Sequence, residues 1–194
     1  MKLYDEDIRD PLCDYLEDQY GKIRIFEEKN IGRARADMLM LTDDSLIGIE
    51  IKSDADTYER LKRQVRFYNK YCDRNYIAIG KSHAKHVAKH VPDFWGILVF
   101  SVDDNGIRVT EQRPPQANPK IKQAFQLTLL WRPELQRILE RNNLPRYKQK
   151  SKKFVQQKLM EKLPWDTLKA QMCEELFERD YTLWAEELEE YRRT

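Results

Sequence analysis

From residue 5 onward the hydrophobic positions switch period several times, and each switch marks an element. In DIRDPLCDYLEDQY, Ile8, Leu12, Tyr15 and Leu16 recur at helical spacing, which predicts a first helix with Pro11 near its first turn. KIRIFEE alternates as a short strand. The run RADMLMLT, residues 35 to 42, is apolar on both faces toward its end, TDDS supplies a tight turn, and LIGIEI, residues 46 to 51, supplies a partner. These three pieces predict a hairpin at the centre of a sheet. In DTYERLKRQVRFYNKYC, Tyr58, Leu61, Val65, Tyr68 and Cys72 form one stripe of a helix whose remaining surface is largely basic. NYIAIG then reads as a strand, SHAKHVAKHV as a short helix, and WGILVFSV with GIRVTE as a closing pair around the turn DDNG. The predicted order is αβββαβ followed by further elements.

The prolines of RPPQANPK, residues 113 to 120, punctuate the chain, and everything beyond reads as helical. This divides the sequence into a core over 1–115 and a helical C-terminal region over 116–194. Residues 141 to 163 hold eight Lys/Arg against one acid, whereas the segment from Pro164 is rich in Glu.

Composition adds limits. A chain of 194 residues with 41% hydrophobic positions fills a real core, and a formal net charge of +2 leaves any attraction for an anionic partner to local patches. Three widely spaced cysteines, Cys13, Cys72 and Cys173, fit free thiols in a reducing compartment. With no apolar run of signal-peptide type and none of membrane-spanning length, the expectation is a cytoplasmic protein with no membrane partner.

Against this pattern three charges are out of place. Glu50 and Lys52 project from one strand face, roughly 6 to 7 Å apart along the backbone, and the turn brings Asp37 beside Glu50. Two buried carboxylates repel unless a cation lies between them, and hard oxygen ligands suit Mg2+, with Mn2+ as a substitute. Lys52 beside such a metal would hold or activate a water for phosphodiester hydrolysis. The bland alternative is a structural ion pair on a half-exposed sheet. Arg33 and Arg35 alternate with Asp37 and are candidates to clamp a phosphate, or else to form a salt bridge to Asp37 or Glu28. His83, His86 and His90, spaced on one helical face, read as a solvated surface rather than a metal site, and Trp95 and Trp131 as packing residues rather than base-stacking platforms. The lysines of residues 147 to 158 fit either a track for a nucleic-acid backbone or a solvated face.

The arrangement D-x12-E-x-K across a hairpin that follows a helix resembles the PD-(D/E)xK nuclease superfamily, which includes restriction endonucleases, Holliday-junction resolvases and RecB-like nucleases. QVRFY, residues 64 to 68, resembles the Q-x-x-x-Y element of the RecB-like branch. GRARAD, EIKSDADT, VPDFWG and LLWR are similar to motifs of a bacterial and phage group within that superfamily, over nearly the whole chain. Ala36 stands where the superfamily name has proline, a change that leaves the ligand set intact. The resemblance implies a restriction-endonuclease-like α/β fold: an αβββαβ core with a mixed central sheet flanked by helices, plus the C-terminal helical region. It further implies a Mg2+-dependent deoxyribonuclease in which Asp37, Glu50 and the carbonyl of Ile51 hold the metal. Lys52 would position the attacking water, and Gln64 and Tyr68 would reach toward the metal and the bound strand. Asp7 of the first helix is the candidate for an additional acidic ligand, with Glu27 and Glu28 as competitors. The expected partner is nucleic acid, DNA first, and duplex cleavage by two sites would call for a homodimer. The competing reading is a non-catalytic nucleic-acid-binding or protein-interaction module on a nuclease fold, in which the helical region does the work.

Overall fold

The computed structural model describes residues 2–180, so the last stretch of the Glu-rich segment lies outside the described residues. Two compact units are present, Met1–Ile121 and Lys122–Thr194.

The first unit is a six-stranded mixed sheet flanked by helices. Helix α1 (Asp5–Tyr20) precedes strands β1 (Arg24–Ile31), β2 (Ala34–Leu41) and β3 (Leu46–Lys52); helix α2 (Leu61–Tyr71) then leads to β4 (Arg74–Gly80), β5 (Gly96–Asp103) and β6 (Gly106–Arg113). The strands lie in sequence order across the sheet. Strands β1, β2 and β3 pair antiparallel, β4 joins β3 in parallel by way of α2, β5 joins β4 in parallel, and β6 closes antiparallel on β5. The αβββαβ order read from hydrophobic periodicity is therefore the observed one, and the fold is the mixed α/β class expected.

Every residue of β3 is buried, and this two-sided burial explains why its sequence lacks the alternation of a half-exposed strand. One face of the sheet, including Met38, Met40, Ile47, Ile49 and Ile51, packs in a cluster with Ile8, Leu12 and Leu16 of α1. On α2 the buried residues are Leu61, Val65, Tyr68, Asn69 and Tyr71. Gly48 permits a close approach there: a Cβ at this position would lie 2.4 Å from the Tyr68 ring, 2.7 Å from Cys72 Sγ and 2.8 Å from Asn75 Oδ1. Gly48→Ala is accordingly expected to destabilise the protein by about 1–3 kcal/mol, read as a lower urea midpoint with an unchanged m-value.

Some local expectations differ from the structure. Pro11 lies inside α1, which begins at Asp5, rather than in its first turn; the seventh helical residue lacks the N–H that would close a bond to Asp7, and the burial of Ile8, Leu12 and Leu16 holds the helix together across that gap. The expected helix over SHAKHVAKHV is instead two single 3-10 turns, Lys81–His83 and Val87–Lys89. Tyr58 precedes α2 instead of joining its stripe, and stacks on His90 with ring centroids 4.0 Å apart. His83 Nε2 lies 2.9 Å from the Ser53 carbonyl and its ring meets Tyr58 edge-on at 4.9 Å, so these histidines have packing roles. Trp95, fully buried, donates to Asn69 Oδ1 at 2.8 Å and meets the Tyr68 ring edge-on. The proline-rich segment is tied down: Asn118 Nδ2 donates to the carbonyls of Asn69 and Cys72 at 2.9 and 2.7 Å.

The second unit contains the short helix α3 (Gln123–Gln126), a 3-10 turn, and helices α4 (Arg132–Arg141), α5 (Lys152–Lys162) and α6 (Trp165–Phe177). Leu135, Ile138, Leu139, Val155, Leu159, Leu168 and Met172 are buried in it. A buried bidentate pair joins Arg179 to Glu134 with both contacts at 2.6 Å, and the guanidinium covers the Trp131 ring at 3.9 Å, which makes Trp131 a packing residue. In the lysine-rich segment, Lys152 donates to the Thr128 carbonyl and Lys158 pairs with Glu161.

Candidate active site

The ladder between β2 and β3 runs from Leu41 opposite Leu46 to Met38 opposite Ile49, and stops there. The ladder between β1 and β2 pairs Glu27 with Met38 and Lys29 with Ala36 but leaves Glu28 and Asp37 unpaired between them. Asp37 thus sits at a gap in both ladders. Glu28 explains one side of it: its backbone has φ 51°, a left-handed conformation unfavourable for a non-glycine residue. Tyr68 explains the other, because its hydroxyl accepts from the Asp37 amide at 3.0 Å and donates to the Ile49 carbonyl at 2.9 Å. The Asp37 side chain closes the gap, with Oδ2 accepting from the Ile51 amide at 2.8 Å.

Beneath this gap lies Glu50, with no exposed surface. Its Oε1 accepts from Lys52 Nζ, which also donates to the Ile51 carbonyl at 3.2 Å. Glu50 Oε2 is buried with no hydrogen-bond partner, and so is Gln64 Oε1 on α2. Native proteins seldom leave such atoms bare, since a buried acceptor without a partner costs about 1–3 kcal/mol. Burial and the nearby Asp37 carboxylate push the Glu50 carboxyl up to about 7, with Lys52 and, to a lesser degree, the Tyr68 hydroxyl working in the opposite direction. Burial likewise raises Asp37, opposed by the Ile51 amide and by Lys52.

A cleft of about 490 Å³ opens above these groups. Asp37, Ile51, Lys52, Gln64, Arg33 and Arg35, all singled out in the sequence, line it, as does Glu28, whereas the buried Glu50 is not part of its lining. Three other expectations resolve differently. Tyr68 is fully buried and its hydroxyl is committed to the strands, so it holds Asp37 rather than facing a bound strand. Asp7 accepts from the Tyr4 amide at 2.7 Å as the cap of α1, and the acid of that helix lining the cleft is Asp5. Glu28, the competitor for that role, is gripped by Arg9 at 2.9 Å and by Arg35 at 2.5 Å. Arg35 therefore makes the salt bridge to Glu28 that was the alternative to a phosphate clamp.

The sequence reading missed Arg9, Arg60 and Arg63, which also line the cleft. The signal available for the last two was their spacing with Gln64 on the polar side of α2. Among the described residues no three His, Cys, Asp or Glu side chains form a metal-binding group; the expected oxygens are those of Asp37, Glu50 and the Ile51 carbonyl, and Asp5, Glu28 and Asp56 are further carboxylates lining the cleft.

Fold and cleft together define a mixed α/β protein whose central sheet carries a buried acid–lysine set below an arginine-rich opening. The family model described as Bacteriophage P4 protein cII matches residues 2–190, and the chain belongs to that family. Among solved structures it is similar to Pyrococcus furiosus SfsA in complex with Ca2+, at 13% identity and a TM-score of 0.33. That alignment covers 57% of this chain and 60% of the other. No curated protein sequence matches. No helix of the described residues is long and apolar enough to cross a membrane.

Proposed function

We propose that the protein is a divalent-metal-dependent nuclease that hydrolyses phosphodiester bonds of DNA in the cleft above Asp37, Glu50 and Lys52. The observation that carries this reading is the bare Glu50 Oε2: a fully buried carboxylate oxygen without a partner, beside a second carboxylate, is an arrangement that a hard cation completes. The donor set fits Mg2+ or Mn2+. Asp37, Glu50 and the Ile51 carbonyl offer only oxygens, and their small number suits an ion that keeps part of its water shell. When bound, the ion would neutralise charge developing on the phosphate and lower the pKa of a coordinated water.

The chain's own groups have separate tasks. The Lys52 ammonium, held near the Ile51 carbonyl at 3.2 Å, is placed to orient the water that attacks phosphorus as the P–O ester bond breaks. Gln64, with an unsatisfied carbonyl oxygen, offers that water an acceptor or, through its amide nitrogen, offers a phosphate oxygen a donor. Tyr68 and the gap in the ladders fix Asp37, so the charged groups need little rearrangement when substrate arrives. The non-catalytic alternative leaves the unpaired buried oxygens without a purpose.

The test is incubation with linear duplex, circular single-stranded and branched DNA, in Mg2+, Mn2+ or EDTA, beside the Glu50→Gln protein to exclude a contaminating nuclease. Cutting that requires metal and Glu50 supports the reading and gives the substrate shape. Binding without cutting on every substrate would favour the interaction module.

A further inference from the structure

Five arginines line the cleft, and they fall into two groups. Arg9 and Arg35 are neutralised by Glu28, and Arg9 also by Asp5. Arg33, Arg60 and Arg63 are different: all three are exposed, and none has an ion pair to a carboxylate among the described residues. Arg33 comes from the turn between β1 and β2, Arg60 and Arg63 from the start of α2. The Arg63 guanidinium donates to the Arg33 carbonyl at 2.9 Å, which ties the turn to the helix and brings the group together.

This arrangement is unfavourable for the protein alone. Three like charges line one cleft, whose Asp56 carboxylate is engaged by the Ser53 amide and hydroxyl, the first turn of α2 contains no acid to offset them, and cations near the beginning of a helix face the positive end of its dipole. An anion relieves all three. The guanidinium fork matches phosphate oxygens, and the arginines share their cleft with Lys52, Asp37 and Gln64.

We propose that Arg33, Arg60 and Arg63 form a second phosphate site, which grips a backbone phosphate of the nucleic-acid strand neighbouring the one at Asp37, Glu50 and Lys52. This deepens, and rests on, the nuclease reading. It assigns the cleft a polymer with successive phosphates rather than an isolated phosphodiester.

The site is tested by binding alone, so that its outcome is separate from cleavage. Fluorescence anisotropy of a labelled DNA oligonucleotide in EDTA, titrated over a series of salt concentrations, compares wild type with Arg33→Ala, Arg60→Ala and Arg60→Lys. Each alanine variant is expected to weaken binding about 3- to 10-fold and to lower the slope of log K against log salt by at most about 0.7 to 0.9, the share of one phosphate contact. Arg60→Lys keeps the charge and should retain most of the wild-type slope. Circular dichroism of Arg60→Ala, whose side chain makes no hydrogen bond or ion pair among the described residues, checks the fold. Unchanged affinity and slope in both alanine variants, or no binding by wild type in EDTA, would overturn the proposal. The nuclease reading would then stand or fall on the Glu50 assay by itself.

Discussion

Glu50→Gln is expected to fold normally, to bind oligonucleotide within about threefold of wild type, and to lose phosphodiester cleavage by about 10³-fold or more. The substitution keeps the shape of a side chain that has no exposed surface, and its amide oxygen still accepts from Lys52. What it removes is negative charge at the bare Oε2 position. In the nuclease reading that charge has no ready substitute, because the neighbouring Asp37 carboxylate already accepts the Ile51 amide. Binding should survive because the cations of the cleft are untouched. Single-turnover cleavage of a labelled oligonucleotide, with anisotropy measured in parallel, separates the two effects. Equal cleavage by mutant and wild type would remove the carboxylates from the chemistry.

How legible this was in the sequence varies with the physical cause. The hairpin of β2 and β3 stood out because two-sided burial removes alternation, and against that apolar run Asp37, Glu50 and Lys52 are visible as exceptions. The stripe of α2 was visible because Leu61, Val65 and Tyr68 follow the helical period. Pro11 was misplaced because local propensity favours the first turn, while the packing of Ile8, Leu12 and Leu16 that carries the helix past it is tertiary. The 3-10 turns around His83 and His90 escaped for a similar reason: the contacts of Tyr58 and Ser53 that shape them come from more than twenty residues away.

Within the site, the gap around Asp37 had no sequence signal at all. It depends on the left-handed backbone of Glu28 and on a tyrosine hydroxyl inserted from another element. Nothing in the letters EE or Y announces either. Arg60 and Arg63 were visible only as part of a generally basic helix surface. Singling them out requires knowing that Glu28 neutralises Arg9 and Arg35 and leaves these two alone. Residue types were thus readable where burial selected them, and unreadable where distant partners assign their work.

The stability of the wild-type protein should fall as pH rises from about 5 to 8, and added Mg2+ should reverse the fall. The Glu50 carboxyl is raised from an ordinary value of 4.5 to about 7 in the folded protein, chiefly by burial and then by Asp37. Between those values the folded state holds a proton that the unfolded state has released, so the contribution is fully present below about 4.5 and is lost as pH passes through 7. At 1.36 kcal/mol per unit the loss is about 3 kcal/mol, and Asp37, also raised, acts in the same direction. Asp54, held below its ordinary value despite burial by Ser82 and the Leu3 amide, acts in the opposite sense but at lower pH, outside this window. Urea unfolding at pH 5 and pH 8 should show the difference, and Glu50→Gln should flatten most of it. Because Mg2+ binds ionised carboxylates, millimolar Mg2+ should raise the urea midpoint at pH 8 and much less at pH 5. Calorimetric unfolding with and without the ion is an independent check. A midpoint indifferent to Mg2+ at both pH values would mean that the two carboxylates hold no ion, and that their repulsion is a structural cost with another origin.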